Sequence, residues 1–255
     1  MEVKLNKKDI SEYRNSGILK LTNFFNKDEI LTLKDNLVKK IKKRNSFDCY
    51  YEKLNKKKYL RRIEKLSKNS KPFYNLLNHK DLISILRKLS RDKSFLFKDK
   101  LNFKYPKSKG FNHHIDGHWY WYNKKKQKEK GWKKYGDKFL NVVIPLEDVF
   151  LKNGCLYLSS KQLTKKFLGS KWHEITQNLV NKKSLLKKFK YKAYPLKVGD
   201  ILIFDWQVSH YSKTNNSKKS RMIIYATFTN KKNQMRKYYL DKKYSQASYK
   251  EKVFF

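Results

Sequence analysis

The chain combines 255 residues with a hydrophobic fraction of 39%, an aromatic fraction of 15% and a formal net charge of +41. This apolar content suffices for the core of one large domain, and no run approaches the ~18 apolar residues that a membrane span requires. Nearly all of the positive charge is lysine spread along the chain, whereas phosphate recognition favours arginine, so a nucleic-acid partner is disfavoured.

The first predicted elements are a short helix, a brief strand and a longer helix. Residues 9–15 suit the short helix, which Gly17 stops, and residues 18–21 suit the strand. The longer helix begins after Asn26, which can cap it, with Glu29 three residues later as a capping-box partner.

The next segments lead from this front part to the first long strands. Residues 44–62 are polar and irregular, which predicts a surface excursion. Apolar residues at helical spacing between 73 and 89 predict helices that pack beneath a sheet. The first ~93 residues are therefore expected to be the helical N-terminal part of a single domain spanning residues 1–255.

The apolar period then changes from that of a helix to that of a strand. Two strands are predicted at residues 95–97 and 101–105, where apolar and polar residues alternate. Residues 111–122 are predicted to form one extended strand. Residues 124–138 form a charged loop, which we expect to lie at the mouth of a pocket.

The second half of the chain adds more short strands. Asn153 and Gly154 form a hairpin signal, residues 161–190 include a weakly helical lysine-rich insertion, and a helical tail is expected from residue 231 to 255. The apolar runs of strand length are 140–146, 155–158, 201–204 and 222–228. Helices followed by about eight short strands predict a mainly β, α+β fold, a cupin-like double-sheet jelly roll over about residues 94–230.

The two cysteines, Cys49 and Cys155, have no disulfide or zinc-finger spacing, which is typical of a reducing compartment. No apolar signal segment follows Met1. We therefore expect a cytoplasmic protein without a membrane partner.

His114 and Asp116 have the spacing of two metal ligands on one strand face. Side chains at i and i+2 of a strand point to the same side, so the imidazole and the carboxylate can converge on one cation. His210, just after a predicted buried strand, is well placed as the third ligand. Two histidines and one carboxylate on one face of a metal form the ligand set of non-haem Fe(II) oxygenases.

Two other interpretations of this motif stay open from the residues alone. A helical segment would place His114 and His118 on one face in a zinc-like spacing, although Gly117 and the alternating aromatic residues after it favour an extended chain. An isolated H-x-D triplet also occurs by chance, as a hydrogen-bonded core histidine or a surface pair.

Arg221 indicates that an anion binds near the predicted metal site. It stands eleven residues after His210, at the head of an apolar run, and an antiparallel hairpin would return it beside that histidine. A buried arginine must find an anion, because an unpaired buried charge is too costly. The distal carboxylate of a dicarboxylic cosubstrate would supply one, and Ser212 could donate a further hydrogen bond.

Two further residues are candidates for the cosubstrate pocket. Lys104 could lean toward the cosubstrate, although in so lysine-rich a chain a solvent-facing lysine is the commoner case. Val143, on a strand across from the site, is a candidate for the floor of the pocket.

The sequence resembles the phytanoyl-CoA dioxygenase family of Fe(II)/2-oxoglutarate oxygenases. The matching stretches are Tyr13–Glu29, Leu101–Pro106, His114–Asp116, Leu146–Leu158 with its Asn-Gly-Cys-Leu run, and Gly199 through His210 to Arg221. One departure is the run from Leu158 to Gln162, which lacks the Pro-Gly-Ser-His-like turn usual in the family and puts the local loop shape in doubt.

This resemblance implies a double-stranded β-helix core that holds Fe(II) by His114, Asp116 and His210. It also implies 2-oxoglutarate bound by Arg221 with help from Ser212. In such enzymes O2 and 2-oxoglutarate are consumed, succinate and CO2 are released, and a C–H bond of the substrate is hydroxylated. Because Asp116 is present, a halogenase-type site is not expected.

The predicted function is therefore an Fe(II)- and 2-oxoglutarate-dependent hydroxylase acting on a small molecule. The alternatives are a basic nucleic-acid-binding protein with the jelly roll as a passive scaffold, or an oxygenase acting on a macromolecule. The sequence identifies neither the substrate nor the oligomeric state.

Overall fold

The computed structural model describes residues 5–42, 48–54, 56–117, 120–122, 127–169, 183–245 and 253–254. Its helices are α1 Lys7–Ser16, α2 Lys27–Lys42, α3 Leu66–Asn69, α4 Lys71–Leu77, α5 Lys80–Ser90, α6 Lys161–Leu168, α7 Lys183–Leu186 and α8 Gln234–Ser245. A 3-10 turn covers Trp132–Lys134. None of the helices in these ranges is long and apolar enough to cross a membrane.

Within the same ranges the strands form two main sheets and one short hairpin. The strands are β1 Ile18–Leu21, β2 Asp48–Leu54, β3 Lys57–Glu64, β4 Phe95–Lys104, β5 Phe111–His114, β6 Tyr120–Tyr122, β7 Lys128–Lys130, β8 Phe139–Pro145, β9 Leu156–Ser159, β10 Lys192–Tyr194, β11 Ile201–Asp205, β12 Ser209–Ser212, β13 Arg221–Thr229 and β14 Val253–Phe254. The larger sheet has the order β1-β11-β8-β13-β4-β3-β2-β14, the smaller sheet has the order β10-β9-β12-β5, and β6 pairs with β7.

Apolar residues on the two faces of the larger sheet build separate cores. Its outer face packs against the helices, where Leu101 and Ile224 share a buried cluster with Leu37 of α2 and Leu86 of α5. Its inner face packs against the smaller sheet, and the buried side chains there are Val143, Leu202 and Ile223 from the larger sheet with Leu156 and Leu158 from the smaller one. Two sheets packed face to face, with helices on the outside, confirm the predicted jelly roll.

The local signals at the front of the chain are borne out. Gly17 ends α1 with a φ of 76°, a left-handed conformation that suits glycine. The side-chain oxygen of Asn26 accepts hydrogen bonds from the backbone N–H groups of Asp28 and Glu29, at 2.8 and 3.3 Å. These contacts cap α2 as the sequence predicts.

The predicted surface excursion at residues 44–62 is wrong for its described part. β2 and β3 form an antiparallel hairpin, and β3 joins the larger sheet beside β4. Two of the polar residues that suggested exposure, Glu52 and Arg61, are each 1% exposed and form an ion pair at 3.6 Å. The sequence did not show the alternation of apolar and polar residues typical of a strand, because the side chains that point inward include this charged pair.

Three other boundaries also differ from the predictions. Residues 95–104 form one strand, β4, rather than two. The extended segment predicted for residues 111–122 is interrupted, because β5 ends at His114 and a turn follows at Asp116 and Gly117. Part of the predicted loop 124–138 is ordered as β7 and the 3-10 turn, and it buries Trp132 and Tyr135 completely.

Candidate metal centre

The structure brings His114, Asp116 and His210 together inside the jelly roll. One ligand atom of each residue lies within 4.8 Å of the others, and no other such cluster of His, Cys, Asp and Glu is found among the described residues. The two histidines come from neighbouring strands of the smaller sheet, since His210 on β12 is the register partner of His114 on β5. Asp116 arrives from the turn after β5, and its Oδ2 is 3.8 Å from Nε2 of His210.

Backbone carbonyls orient both imidazole rings. Nδ1 of His114 lies 2.6 Å from the carbonyl oxygen of Asn112, and Nδ1 of His210 lies 3.0 Å from that of Val208. A carbonyl oxygen can only accept, so each Nδ1 carries the proton and each Nε2 keeps its lone pair. A carbonyl contact at Nδ1 fixes the tautomer and the ring orientation that allow a histidine to bind a metal through Nε2.

The protonation states suit a cation. Burial, and next the neighbouring His210, lower the pKa of His114 to about 3, and burial also lowers the pKa of His210. Burial alone would raise the pKa of Asp116, but the neighbouring His210, Lys98, His114 and Lys100 bring it down to about 2. At neutral pH the cluster therefore offers two uncharged imidazoles and one carboxylate.

A chain of side chains on the larger sheet holds the carboxylate in place. The amide of Asn141 donates to Oδ2 of Asp116 at 2.9 Å, and the hydroxyl of Thr227 donates to the amide oxygen of Asn141 at 2.7 Å. Below the turn, a Cβ on Gly117 would lie 2.9 Å from the ring of Trp132, and the φ of Gly117 is +74°. Glycine is thus required where the chain turns to present Asp116.

Arg221 lies at the other end of the barrel interior, in the larger sheet. It is 1% exposed and donates to the carbonyl oxygens of Asn153 and Gly154, at 3.0 and 2.7 Å. Its Nη1 is buried and has no hydrogen-bond partner among the residues that the structure describes. One guanidinium nitrogen is therefore left for an anion that these residues do not supply.

The hairpin that was predicted to carry Arg221 back to His210 is wrong. β12 pairs with β5 and β9 in the smaller sheet, whereas β13 pairs with β4 and β8 in the larger one. The connection between β12 and β13 crosses from one sheet to the other, and Asn215 secures it by donating to the carbonyl oxygens of Lys104 and Lys219. Arg221 therefore faces the interior from across the barrel.

Lys104 and Ser212 link the two sheets beside Arg221. Lys104 is the register partner of Arg221, and its amino group donates to the Ser212 hydroxyl at 3.0 Å and to the carbonyl oxygen of Lys213 at 2.6 Å. Burial, and next Arg221 and Arg61, lower the pKa of Lys104 to about 5. The solvent-facing alternative for Lys104 is wrong, because the residue is 1% exposed.

Two further residues complete the description of this pocket. Val143 is fully buried on the inner face of the larger sheet, between its register partners Leu202 and Tyr225. Arg61, which sequence reasoning missed, lies with its guanidinium 4.6 Å from the ring centroid of Phe111, and its charge acts on both Lys104 and Arg221. Its position was hidden because the residues around it were interpreted as exposed.

Lys98 and Lys100 were also missed, and they lie nearer the cluster. Both are half-buried on the inner face of β4, where Thr227 and Tyr225 are their register partners. Burial lowers the pKa of Lys98 to about 8 and that of Lys100 well below its usual range. Nothing in a sequence with lysine at so many positions singles out these two.

His113 does not extend the cluster in the described structure. The ring of His113 stacks on Tyr211 with a centroid distance of 3.9 Å. His118 lies outside the described residues, so its alternative pairing with His114 stays untested.

The sequence of the chain matches the model of one protein family, described as phytanoyl-CoA dioxygenase, over residues 13–223. The chain belongs to the phytanoyl-CoA dioxygenase family. The match includes β1 to β12, and therefore both histidines and the aspartate of the cluster, and it also includes Arg221 at the start of β13.

Two curated relatives of this family member are named as dioxygenases. It is 26% identical over 148 residues to the 2-aminoethylphosphonate dioxygenase of Uncultured bacterium HF130_AEPn_1, a match that covers 58% of this chain and 50% of that protein. It is 23% identical over 179 residues to dioxygenase lolE1 of Epichloe uncinata, covering 70% and 63% respectively. The matches thus span about half to two thirds of the length of these relatives.

The fold of this family member is also similar to solved structures. One is the non-haem α-ketoglutarate-dependent carbocyclase SnoK from nogalamycin biosynthesis, with a TM-score of 0.70 and 15% sequence identity. The similarity covers 89% of this chain and 85% of SnoK. At this level of identity the likeness supports the jelly-roll fold alone.

Proposed function

We propose that this family member is an Fe(II)- and 2-oxoglutarate-dependent dioxygenase that hydroxylates a small molecule. The observation that carries the proposal is the convergence of His114, Asp116 and His210 in one partly buried cluster. Their two neutral imidazoles and one carboxylate form the facial ligand set of this enzyme class. Family membership and the relatives named as dioxygenases support the same reaction type.

The residues present fit the metal. Both imidazoles have Nδ1 engaged by backbone carbonyls, and Asn141 fixes the carboxylate, so the three ligand atoms are held without a cation. Three protein ligands leave further positions on the metal open for the cosubstrate and O2. When bound, Fe(II) would activate O2, and 2-oxoglutarate would supply the electrons and leave as succinate and CO2.

The residues also fit the cosubstrate. The vacant Nη1 of Arg221 is a donor for the distal carboxylate of 2-oxoglutarate. The Ser212 hydroxyl oxygen accepts from Lys104 and from the backbone N–H of Phe111, at 3.0 and 3.2 Å, so its own hydrogen remains for the same carboxylate. Val143 would form part of the apolar floor that keeps water away from the bound chain.

The metal assignment is tested by removing one ligand at a time. We expect His210→Ala and Asp116→Ala to lower Fe(II) affinity by about 100-fold or more and to abolish succinate formation, since both remove a ligand atom. Anaerobic equilibrium dialysis measures the iron, and mass spectrometry measures succinate. The matched control is His113→Ala, which removes a neighbouring imidazole outside the cluster and should leave both readouts unchanged. Undiminished succinate formation in either ligand variant would refute the assignment.

The substrate is identified by testing which compounds the protein oxidises, because the fold alone does not specify it. The first compound to test is 2-aminoethylphosphonate, which the name of one relative gives as its substrate. Incubation with Fe(II), 2-oxoglutarate and O2 should add one oxygen atom to the true substrate and release one succinate for each oxygen added. A pool of small metabolites, screened by the same mass increase, extends the search to other chemical classes.

A further inference from the structure

The inner face of β4 carries more positive charge than the metal and cosubstrate account for. Lys98, Lys100, Asn102 and Lys104 alternate on this face, since side chains two residues apart on a strand point the same way. Lys104 belongs to the Arg221 end. Lys98 and Lys100 lie at the other end, toward the metal cluster.

Lys98 is placed level with the metal ligands. The register across the larger sheet aligns Lys98 with Thr227, and Thr227 with Asn141, whose amide donates to Asp116. The ammonium of Lys98 lies 3.8 Å from the ring centroid of Trp132, a buried residue whose packing holds it in position. The Lys98 side chain is therefore held in register with Asn141, the residue that donates to the metal ligand Asp116.

Lys100 has no hydrogen-bonding or ion-pairing partner for its amino group in the part of the chain that the structure describes, and burial disfavours its charged form. Among the residues that the structure describes, none accepts a hydrogen bond from its ammonium or pairs with it as a carboxylate, and its nearest aromatic contact is the Tyr225 ring at 5.6 Å. The acidic groups that act on it are Asp116 and Glu64. Asp116 is assigned to the metal, and Glu64 lies 3.4 Å from the guanidinium of Arg62.

The cosubstrate does not supply the missing anion. 2-Oxoglutarate has one carboxylate at each end, of which one chelates the metal and the other is assigned to Arg221. Lys104 lies four residues beyond Lys100 along β4, a distance of about 13 Å at ~3.3 Å per residue. If Fe(II) were bound beside Asp116, two more positive charges would enter the same space, and a bound anion would offset them and keep both lysines protonated.

We propose that the substrate is an anion whose phosphonate, phosphate or carboxylate group is bound by Lys98 and Lys100 beside the metal centre. This rests on the proposed function and names the class of its substrate. Each ammonium can donate charge-assisted hydrogen bonds to such a group. Holding the charged end against β4 would leave the uncharged part of the molecule to face the metal cluster.

Methylphosphonate is the probe for this site. Its affinity is measured by calorimetry on the metal-loaded protein saturated with 2-oxoglutarate, and its position by the paramagnetic relaxation of ³¹P with Co(II) in the metal site. The variants are Lys98→Met and Lys100→Met, which keep the length of the side chain but remove the charge, and Lys100→Arg, which retains it. Lys93→Met, at an exposed lysine just before β4, is the matched control.

The proposal predicts that the wild type and the Lys93→Met variant bind the probe equally, with its phosphorus close to Co(II). Lys98→Met and Lys100→Met should each weaken binding by about 10-fold or more while the affinity for 2-oxoglutarate is unchanged, and Lys100→Arg should restore binding. Equal probe binding by all variants would overturn the proposal, as would a loss of 2-oxoglutarate affinity in place of probe affinity. Failure of the wild type to bind metal or 2-oxoglutarate would instead count against the proposed function itself.

Discussion

At the scale of single residues, Arg221 is the side chain to which the proposed function assigns the distal carboxylate of the cosubstrate. Its guanidinium donates to two backbone carbonyls, and Nη1 has no partner among the described residues. Replacing Arg221 would therefore remove the charged partner of the cosubstrate and leave the three metal ligands in place. We expect Arg221→Met to raise the KM for 2-oxoglutarate by about 100-fold, with a smaller effect on kcat, because losing one partner of a buried charge pair costs about 2–5 kcal/mol. The control is Arg87→Met, at an exposed arginine of α5, for which steady-state kinetics should show the wild-type KM.

His114 makes the stability of the metal-free protein depend on pH. Its pKa in the folded protein is about 3, while an unfolded chain takes up the proton near pH 6.5, so its contribution is complete above ~6.5 and is lost as the pH falls toward 3. Urea unfolding of the metal-free protein should therefore give a lower free energy at pH 5 than at pH 7. His114→Gln, which cannot titrate, should show a shallower decline, and identical pH slopes for the two proteins would contradict the prediction.

At the scale of elements, the β2–β3 hairpin depends on a buried ion pair. Arg61 and Glu52 lie 3.6 Å apart, the Ser108 hydroxyl also donates to Glu52, and the Arg61 guanidinium donates to the carbonyl oxygens of Phe103 and Lys109. Glu52→Gln would leave Arg61 as a buried charge without its counter-ion, so we expect the free energy of unfolding to fall by about 3 kcal/mol. Lys53→Gln, at the exposed neighbour on the same strand, should change it by less than ~0.5 kcal/mol, as chemical denaturation will show.

At the scale of the whole molecule, the net charge of +41 acts against the compact state. Like charges repel one another more strongly when the chain is folded, and dissolved salt screens that repulsion over a Debye length of ~10 Å at 0.1 M. We therefore expect the Tm to rise as NaCl increases from about 10 to about 150 mM. Calorimetry over a salt series measures this rise, and a Tm that stays constant or falls would show that local ion pairs outweigh the general repulsion.

The separation of two interacting residues along the chain decides whether the sequence alone could predict their contact. The capped start of α2 and the metal-ligand spacing of His114 and Asp116 are local, so residue types alone indicated them. The position of Arg221 could not be predicted from local residues, because β12 and β13 belong to different sheets and this depends on contacts between residues far apart in the chain. Lys98 and Lys100 were missed for a different reason, because an inward lysine cannot be distinguished from the many outward ones before the register of the strand is known.

β4 makes the whole interior sensitive to its alignment. Phe97, Leu101 and Phe103 point to apolar clusters on one side, while the lysines between them point into the barrel on the other. Deleting a single residue near the start of this strand would exchange the faces of the apolar residues and the lysines. The aromatic rings would then point into the barrel interior, and the lysines would point into the apolar clusters on the other face of the sheet. Evolution can thus alter the chemistry of the barrel interior by substitution along this strand, but not by insertion or deletion.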